Sequence, residues 1–443
     1  MVKLSELLGA ESVFKYEFIE KDAFVNGGKT DSRQVVEGDI YFALKGLNSD
    51  GHDFIDQVCE KQAAAAVVNK NYNNINKFPV IYSENVEKTL GEFAMIWRCL
   101  HNAKIIGITG TNGKTTTKEM LARMLSGKYR LISTFKNYNN QIGVPLTLLS
   151  IKDDTEIAIV ELGTNHFGEI KYLSDLSDPE YGIITNIGEG HLEYLIDTQS
   201  VYNEKKILFE HVLKRDGKIF VNTDDEYLNN WNKGNVITFG TSQKADYKFE
   251  NIEIDGKGFP SFDFMGKRVT MNVPGSLNLK NALAAAVIAY EMKVELPYII
   301  SALKTFSSSD KRYEMTEYKN SEVLLDCYNA NPTSMELFLK DVSLMSKDYI
   351  VILGDMLELG ITSQKSHVKV VELASQLNFR EVLLYGNEMK SAFTWIKFDP
   401  SVKHYEKFEE LKKMFDKLAE DGRKIAVKGS RGMKLEKLLE DIE

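Results

Sequence analysis

The chain has 443 residues, 43% hydrophobic and 27% charged, with a net charge of −9 at pH 7. At roughly 150 residues per domain, this suggests about three soluble domains, each able to bury its own core. The charge argues against general nucleic-acid binding, and no stretch approaches the roughly 18 apolar residues of a membrane span. The three scattered cysteines (Cys59, Cys99, Cys327) exclude a disulfide framework and fit a reducing, cytoplasmic compartment.

In chain order, Lys3 and Glu6 break the opening apolar run too early for a secretory leader. Short apolar runs at Asp39–Leu44, Ala63–Val68 and Val80–Tyr82 alternate with turn residues, and Thr89–Leu100 has helical apolar spacing, predicting a small α/β domain. A stronger alternation begins at Lys104–Ile108, a β-branched run followed by a glycine loop and a helix over Thr117–Ser126. Buried strands are predicted at Ile157–Val160, Tyr181–Ile184, Ile219–Val221 and Val236–Phe239, and an alanine-rich helix at Leu279–Met292. After the polar Ser307–Asp310, strands at Val323–Leu325, Tyr349–Leu353, Val382–Tyr385 and Ile425–Val427 alternate with helical patterns. The expected fold class is therefore α/β, with a small first domain over 1–102, a central P-loop domain with a mainly parallel sheet over 103–307, and a doubly wound, Rossmann-like domain over 308–443.

Gly107-Ile-Thr-Gly-Thr-Asn-Gly-Lys-Thr-Thr-Thr117 follows a strand and opens a helix, the setting a phosphate loop needs. Gly110 and Gly113 let the backbone around Thr111, Asn112 and Thr116 approach phosphate oxygens, and the helix N-terminus adds a favourable dipole. Lys114 is placed to reach the β and γ phosphates and the Thr115 hydroxyl to meet Mg²⁺. The strict P-loop pattern fails at Ile108, where it asks for glycine. Glu161 ends one predicted strand and His191 follows the next, at the sheet edge where α/β proteins bind ligands. Both are candidate Mg²⁺ ligands. No G-x-S-x-G elbow or Cys–His pairing offers a side-chain nucleophile.

Thr109–Thr116 resembles the ATP loop of the Mur ligases and of the related folylpolyglutamate synthases, and the resemblance extends over nearly the whole chain. It implies an ATP-dependent amide ligase of peptidoglycan synthesis that activates a carboxylate as an acyl phosphate, with ATP and two Mg²⁺ ions. It assigns Glu161 and His191 to magnesium, and it implies that Lys205 in Glu204-Lys-Lys-Ile-Leu-Phe209 is carbamylated and helps hold the second ion. On its own that segment reads as a solvated helix face. Pro274–Ala282 resembles the adenine segment through Asn278 and Asn281, with Leu277 where a histidine is usual. Lys311-Arg-Tyr-Glu314 resembles the interdomain segment whose arginine, here Arg312, meets phosphates.

Two segments resemble the D-alanyl-D-alanine-adding branch of the family: Asp326-Cys-Tyr-Asn-Ala-Asn-Pro332, and Gly354-Asp-Met-Leu-Glu-Leu-Gly360 followed by Ser363 and His367. His367 by itself could equally cap or pack on a helix. Lys428-Gly-Ser-Arg431 and Asn137–Pro145 continue the match, as do Asp31-Ser-Arg33, Gly38–Leu44 and Asp50–Phe54 in the first domain. The resemblance implies Asp326 at the nucleotide. It implies Ser32, Arg33, Asn139, Asn140, Asn329, Asn331, Asp355, Lys428 and Ser430 at the two substrates, a UDP-N-acetylmuramoyl-tripeptide and D-alanyl-D-alanine, with a monomer as the working unit. Two rival readings remain at this point: another amide ligase of the superfamily, and a P-loop switch protein, which would need no second substrate domain.

Overall fold

The computed structural model describes residues 2–9, 14–20, 22–75, 77–231, 234–242, 244–308, 311–396 and 398–440. Ser309 and Asp310 of the polar stretch before the third domain, like Met1, lie outside the described residues. The central sheet has six parallel strands in the order 236–239, 218–222, 181–184, 104–109, 157–161, 131–133. Each strand is short and apolar because both faces are covered. Ile157 and Ile159 belong to the core on one face, Ala158 and Val160 to the core on the other. Strand Lys104–Thr109 lies between strands 157–161 and 181–184, the position from which successive crossovers leave in opposite directions, so the loops at its carboxyl end open a crevice.

The third domain repeats this logic. Strands 321–326, 425–428, 350–354, 381–385 and 402–405 run parallel, with antiparallel 314–318 on the edge. In the first domain strands 27–29, 39–42, 65–69 and 80–83 are parallel, and 15–17 closes the edge antiparallel. The predicted strands and helices thus appear with shifted ends; the alanine-rich helix spans Ser276–Glu291 and packs on Lys114–Leu125. A three-stranded antiparallel sheet over Phe249–Ile254, Pro260–Phe264 and Lys267–Thr270 was not anticipated. Its inner residues Phe249, Phe262, Phe264 and Val269 join the central core, and the Phe249 and Phe262 rings stack at 3.6 Å. Among the described residues no helix is long and apolar enough to cross a membrane.

The first and central domains share one core. Phe42, Val67, Leu90 and Phe93 are continuous with Val144, Leu148, Ile151 and Ala158. Helix Val86–Cys99 carries the seam: Phe93 meets Phe14 and Phe42 edge-on at 5.6 and 5.9 Å, and Trp97 Nε1 donates to the Ile151 carbonyl at 2.9 Å. Phe93→Ala is therefore expected to destabilise the protein by about 3–5 kcal/mol. Hydrogen exchange should quicken both in 86–99 and in the central helix Gly143–Leu148, whereas independent domains would confine the change to the first.

Candidate functional site

Strand Lys104–Thr109 turns into helix Lys114–Leu125 through Gly110 (φ 147°) and Gly113 (φ 82°). No larger residue fits: a Cβ on Gly110 would lie 1.9 Å from Thr185 Oγ1, and one on Gly113 2.1 Å from Asn281 Oδ1. The loop is pinned from the neighbouring strand's end. Thr111 N–H donates to the Asn186 carbonyl and Asn112 N–H to Asn186 Oδ1, both at 3.0 Å, while Thr185 Oγ1 donates to the Asn112 carbonyl at 2.6 Å. Lys114 Nζ folds over the loop onto the Gly110 and Thr111 carbonyls at 2.8 and 3.3 Å, and burial lowers its pKa.

Glu161, 1% exposed at the end of its strand, gathers the groups around it. Its carboxylate accepts from Thr115 Oγ1 at 2.9 Å and Asn139 Nδ2 at 2.8 Å, with Lys118 Nζ at 3.7 Å. Lys118 is itself 2% exposed and donates to the Thr134 and Lys136 carbonyls at 2.7 and 2.5 Å, tying the 134–140 loop to the phosphate-loop helix. His191 sits in the left-handed region (φ 57°) and its Nδ1 lies 2.8 Å from Glu358 Oε2. Burial lowers the ring's pKa, against the opposing pull of Glu358. A neutral imidazole that donates through Nδ1 keeps a lone pair on Nε2. The donor set at the cleft thus suits a hard divalent cation: a carboxylate, a hydroxyl and a neutral imidazole.

Lys205 is 1% exposed, and burial, with Lys114 adding to it, drives its pKa far down. Its neighbour Lys206 stays at the surface, paired with Glu210 at 2.9 Å, so the buried register belongs to Lys205 and the solvated-face reading does not hold there. Lys205 does not itself border the cleft, although Lys114 lowers its pKa and it in turn lowers that of His191.

The cleft, about 390 Å³, is walled by Thr111–Thr116, Asn139, Asn140, Glu161 and His191 from the central domain, with Asn278 and Asn281. Arg312, Asp326, Asn329 and Lys428 face them from the third domain. Arg312 lies 3.6 Å over the Tyr328 ring. Lys428 Nζ joins Asp326 at 2.5 Å and the Asn329 carbonyl at 3.0 Å. Asn278 spends its amide on the Pro274 carbonyl at 2.7 Å, whereas Asn281 Nδ2 and Arg312 Nε are buried with no hydrogen-bond partner among the described residues. Orphaned buried donors at a cleft wall are what a bound polar ligand satisfies.

Other expected residues lie outside the wall. Gly110 does not border it. Asn331 bonds Asn112 across the domains, its Nδ2 to Oδ1 at 2.8 Å, and caps the helix Pro332–Met345. Asp355 accepts from Met389 and Glu388 N–H at 2.8 and 3.2 Å, and Ser430 Oγ accepts from Leu357 N–H at 3.0 Å, so both side chains are used inside their own domain. His367 is buried and accepts from Met356 N–H at 2.9 Å, the packing role rather than a ligand's. Ser32 Oγ donates to Gln57 at 3.0 Å; exposed Arg33 is engaged bidentately with Asp31 at 2.9 and 2.8 Å, which lowers the Asp31 pKa. Sequence reasoning missed Lys118, although it is four residues from Lys114 and so on the same helix face. It also missed the cleft residues Thr164 and Asn165, which follow Glu161 by three and four positions.

Three family models match in chain order: Mur ligase family, catalytic domain, over 25–95; Mur ligase middle domain, over 108–289; and Mur ligase, glutamate ligase domain, over 311–431. The UDP-N-acetylmuramoyl-tripeptide–D-alanyl-D-alanine ligase of Bacillus subtilis (strain 168) is 31% identical, covering 94% of this chain and 93% of that protein. The ligase of the same name from Buchnera aphidicola subsp. Acyrthosiphon pisum (strain APS) is 32% identical, covering 95% and 94%. Among solved structures, MurF from Acinetobacter baumannii matches with a TM-score of 0.83 and 27% identity, over 93% of this chain and 92% of that one. With its phosphate loop, its cleft between two α/β sheets and this likeness along nearly its full length, the chain belongs to the Mur ligase family.

Proposed function

We propose that this chain joins D-alanyl-D-alanine to UDP-N-acetylmuramoyl-tripeptide at the expense of ATP, releasing ADP and phosphate, as a cytoplasmic monomer in peptidoglycan precursor synthesis. One observation carries the reading. The phosphate loop and the Asp326–Pro332 segment face each other across one cleft, in a chain that aligns nearly end to end with ligases of that name. Residues 1–102 would hold the UDP end, with Ser32 and Arg33 nearest to it. Residues 103–307 would hold ATP, and 308–443 the dipeptide, through Asn329 and Lys428.

A carboxylate acylates poorly at neutral pH. Transfer of the ATP γ-phosphoryl group to the tripeptide's terminal carboxylate forms an acyl phosphate and ADP. The dipeptide amine then attacks the carbonyl carbon, and the tetrahedral intermediate expels phosphate and loses the amine proton. Lys114 neutralises charge as it moves among phosphate oxygens. Asn139, bonded to Glu161, and Asn140 line the cleft where the acyl carboxylate would approach, and Arg312 has its unpaired Nε for a phosphate. Bound Mg²⁺, held by Thr115, Glu161 and His191, would supply further charge neutralisation. Burial pushes the Lys205 pKa far below the usual lysine range, toward the neutral amine that adds CO₂ to give a carbamate and a proton; the anion would help hold a second ion.

In a folded Lys114→Ala protein, product formation measured by mass spectrometry from ATP and both substrates should fall on the order of 10²-fold or more; near-normal turnover would count against the ATP site. With ¹³C-bicarbonate, wild-type protein should show a carbamate resonance that Lys205→Ala lacks, and a short carboxylic acid should restore part of that variant's activity. No resonance in the Mg²⁺–nucleotide complex would refute the modification. Because no domain holds all three ligands, the third should close on the central one. Small-angle scattering should show compaction as ligands are added in turn to an open form, and an unchanged radius of gyration would rule closure out.

A further inference from the structure

Glu358 belongs to no part of the cleft described so far, yet it is the third domain's group that reaches His191. Its Oε2 lies 2.8 Å from His191 Nδ1, and its carbonyl accepts the Glu193 N–H at 3.1 Å, so backbone and side chain together clasp the 191–193 turn. Both clasped residues are non-glycine residues at positive φ, His191 at 57° and Glu358 at 63°. Residues with a Cβ adopt that conformation when their surroundings impose it, often at functional sites. Two residues on, a Cβ on Gly360 would lie 2.9 Å from Glu193 Cα, so glycine is what lets the two turns touch.

The turn carrying Glu358 is braced from behind. Asp355 is anchored on Met389 and Glu388 N–H, Met356 N–H is held by His367 Nε2 at 2.9 Å, and Leu357 N–H by Ser430 Oγ at 3.0 Å. The Gly354–Gly360 segment and the Lys428–Arg431 segment, two motifs that the cleft wall left largely unexplained, thus converge on aiming one carboxylate across the domain boundary. The Glu358 side chain is 52% exposed. A contact that open to water adds little stability, so its consequence is orientation.

We propose that Glu358 is a positioning residue. It fixes the His191 ring with Nδ1–H toward the third domain and Nε2 toward the cleft, so the histidine is set for a cation when that domain is seated. The proposal rests on the ligase reading, in which His191 faces a nucleotide-bound divalent ion. Carboxylates that hold a ligating histidine in this way fix its tautomer and orientation.

The test uses full-length protein labelled with ¹⁵N-histidine, with ADP and Mg²⁺ for spectroscopy and ATP plus both substrates for kinetics, the His191 signals being assigned by their loss in His191→Gln. Glu358→Ala should raise the Mg²⁺ concentration for half-maximal turnover on the order of 10- to 100-fold, lower kcat at saturating Mg²⁺ far less, and remove the single Nδ1–H tautomer of His191. Glu358→Gln, whose amide oxygen still accepts a hydrogen bond, should keep the tautomer. A Glu358→Ala protein with the wild-type Mg²⁺ requirement, or with an unchanged His191 spectrum, would overturn the proposal. Wild-type protein that forms no product would sink the ligase reading, while the spectrum still decides the Glu358 contact by itself.

Discussion

A fully buried carboxylate organises the site. Glu161 is 1% exposed, and an ionised carboxylate taken out of water costs several kcal/mol unless partners compensate. Its partners come from two separate segments: Thr115 and, one turn further along, Lys118 from the phosphate-loop helix, and Asn139 from the loop after the neighbouring strand. Satisfying one charge therefore fixes the relative placement of the nucleotide loop, the 134–140 loop and the strand end. Lys118 carries this further, because its ammonium also ties down the Thr134 and Lys136 carbonyls. The phosphate loop is held from the other side by Thr185 and Asn186, so its backbone geometry is built before any ligand arrives.

On the central domain's side of the site the structure gathers desolvated lysines. Lys114, Lys118 and Lys205 are all pushed below the ordinary lysine pKa by burial. Lys205 is opposed by Lys114 rather than paired with it. One carboxylate against several desolvated amines is an arrangement that favours an incoming polyanion. Lys205 is the odd member: burial and the nearby Lys114 push its pKa far down against the pull of Glu204, while Lys206 one residue away is raised by its Glu210 partner.

What the sequence reveals follows from how each feature is encoded. The parallel strands are short β-branched runs buried on both faces, so Ile157–Val160 or Ile350–Leu353 announce themselves, and the phosphate loop is a contiguous string tied to one strand–helix junction. The Phe249–Thr270 sheet is encoded by a period of two in segments flanked by charged residues, a weaker signal beside the central alternation. Lys205 could be placed only through resemblance, because its burial depends on packing from distant elements. The fates of Asp355 and Ser430 were illegible for the opposite reason. A motif marks residues that must be kept, but not whether a side chain faces a ligand or holds the neighbouring backbone, and here both hold backbone.

The two α/β domains meet in a way that explains why the chemistry sits between them. Strands 321–326 and 425–428 are neighbours in the third domain's sheet, and their carboxyl ends put Asp326 opposite Lys428, bonded at 2.5 Å. Strands 104–109 and 157–161 do the same in the central sheet with the phosphate loop and Glu161. Parallel sheets bind ligands at that edge, and placing two such edges face to face gives one cleft with the phosphate loop and Glu161 on one wall and Asp326, Asn329 and Lys428 on the other. The seam is polar: Asn112 with Asn331, Glu189 N–H with Thr333, Ser276 with Asp341. The first domain is joined instead through a continuous apolar core. Polar contacts of this kind are exchanged readily for water, and an apolar core is not. The third domain is therefore the one whose movement costs least, and the first stays with the central domain as a single platform.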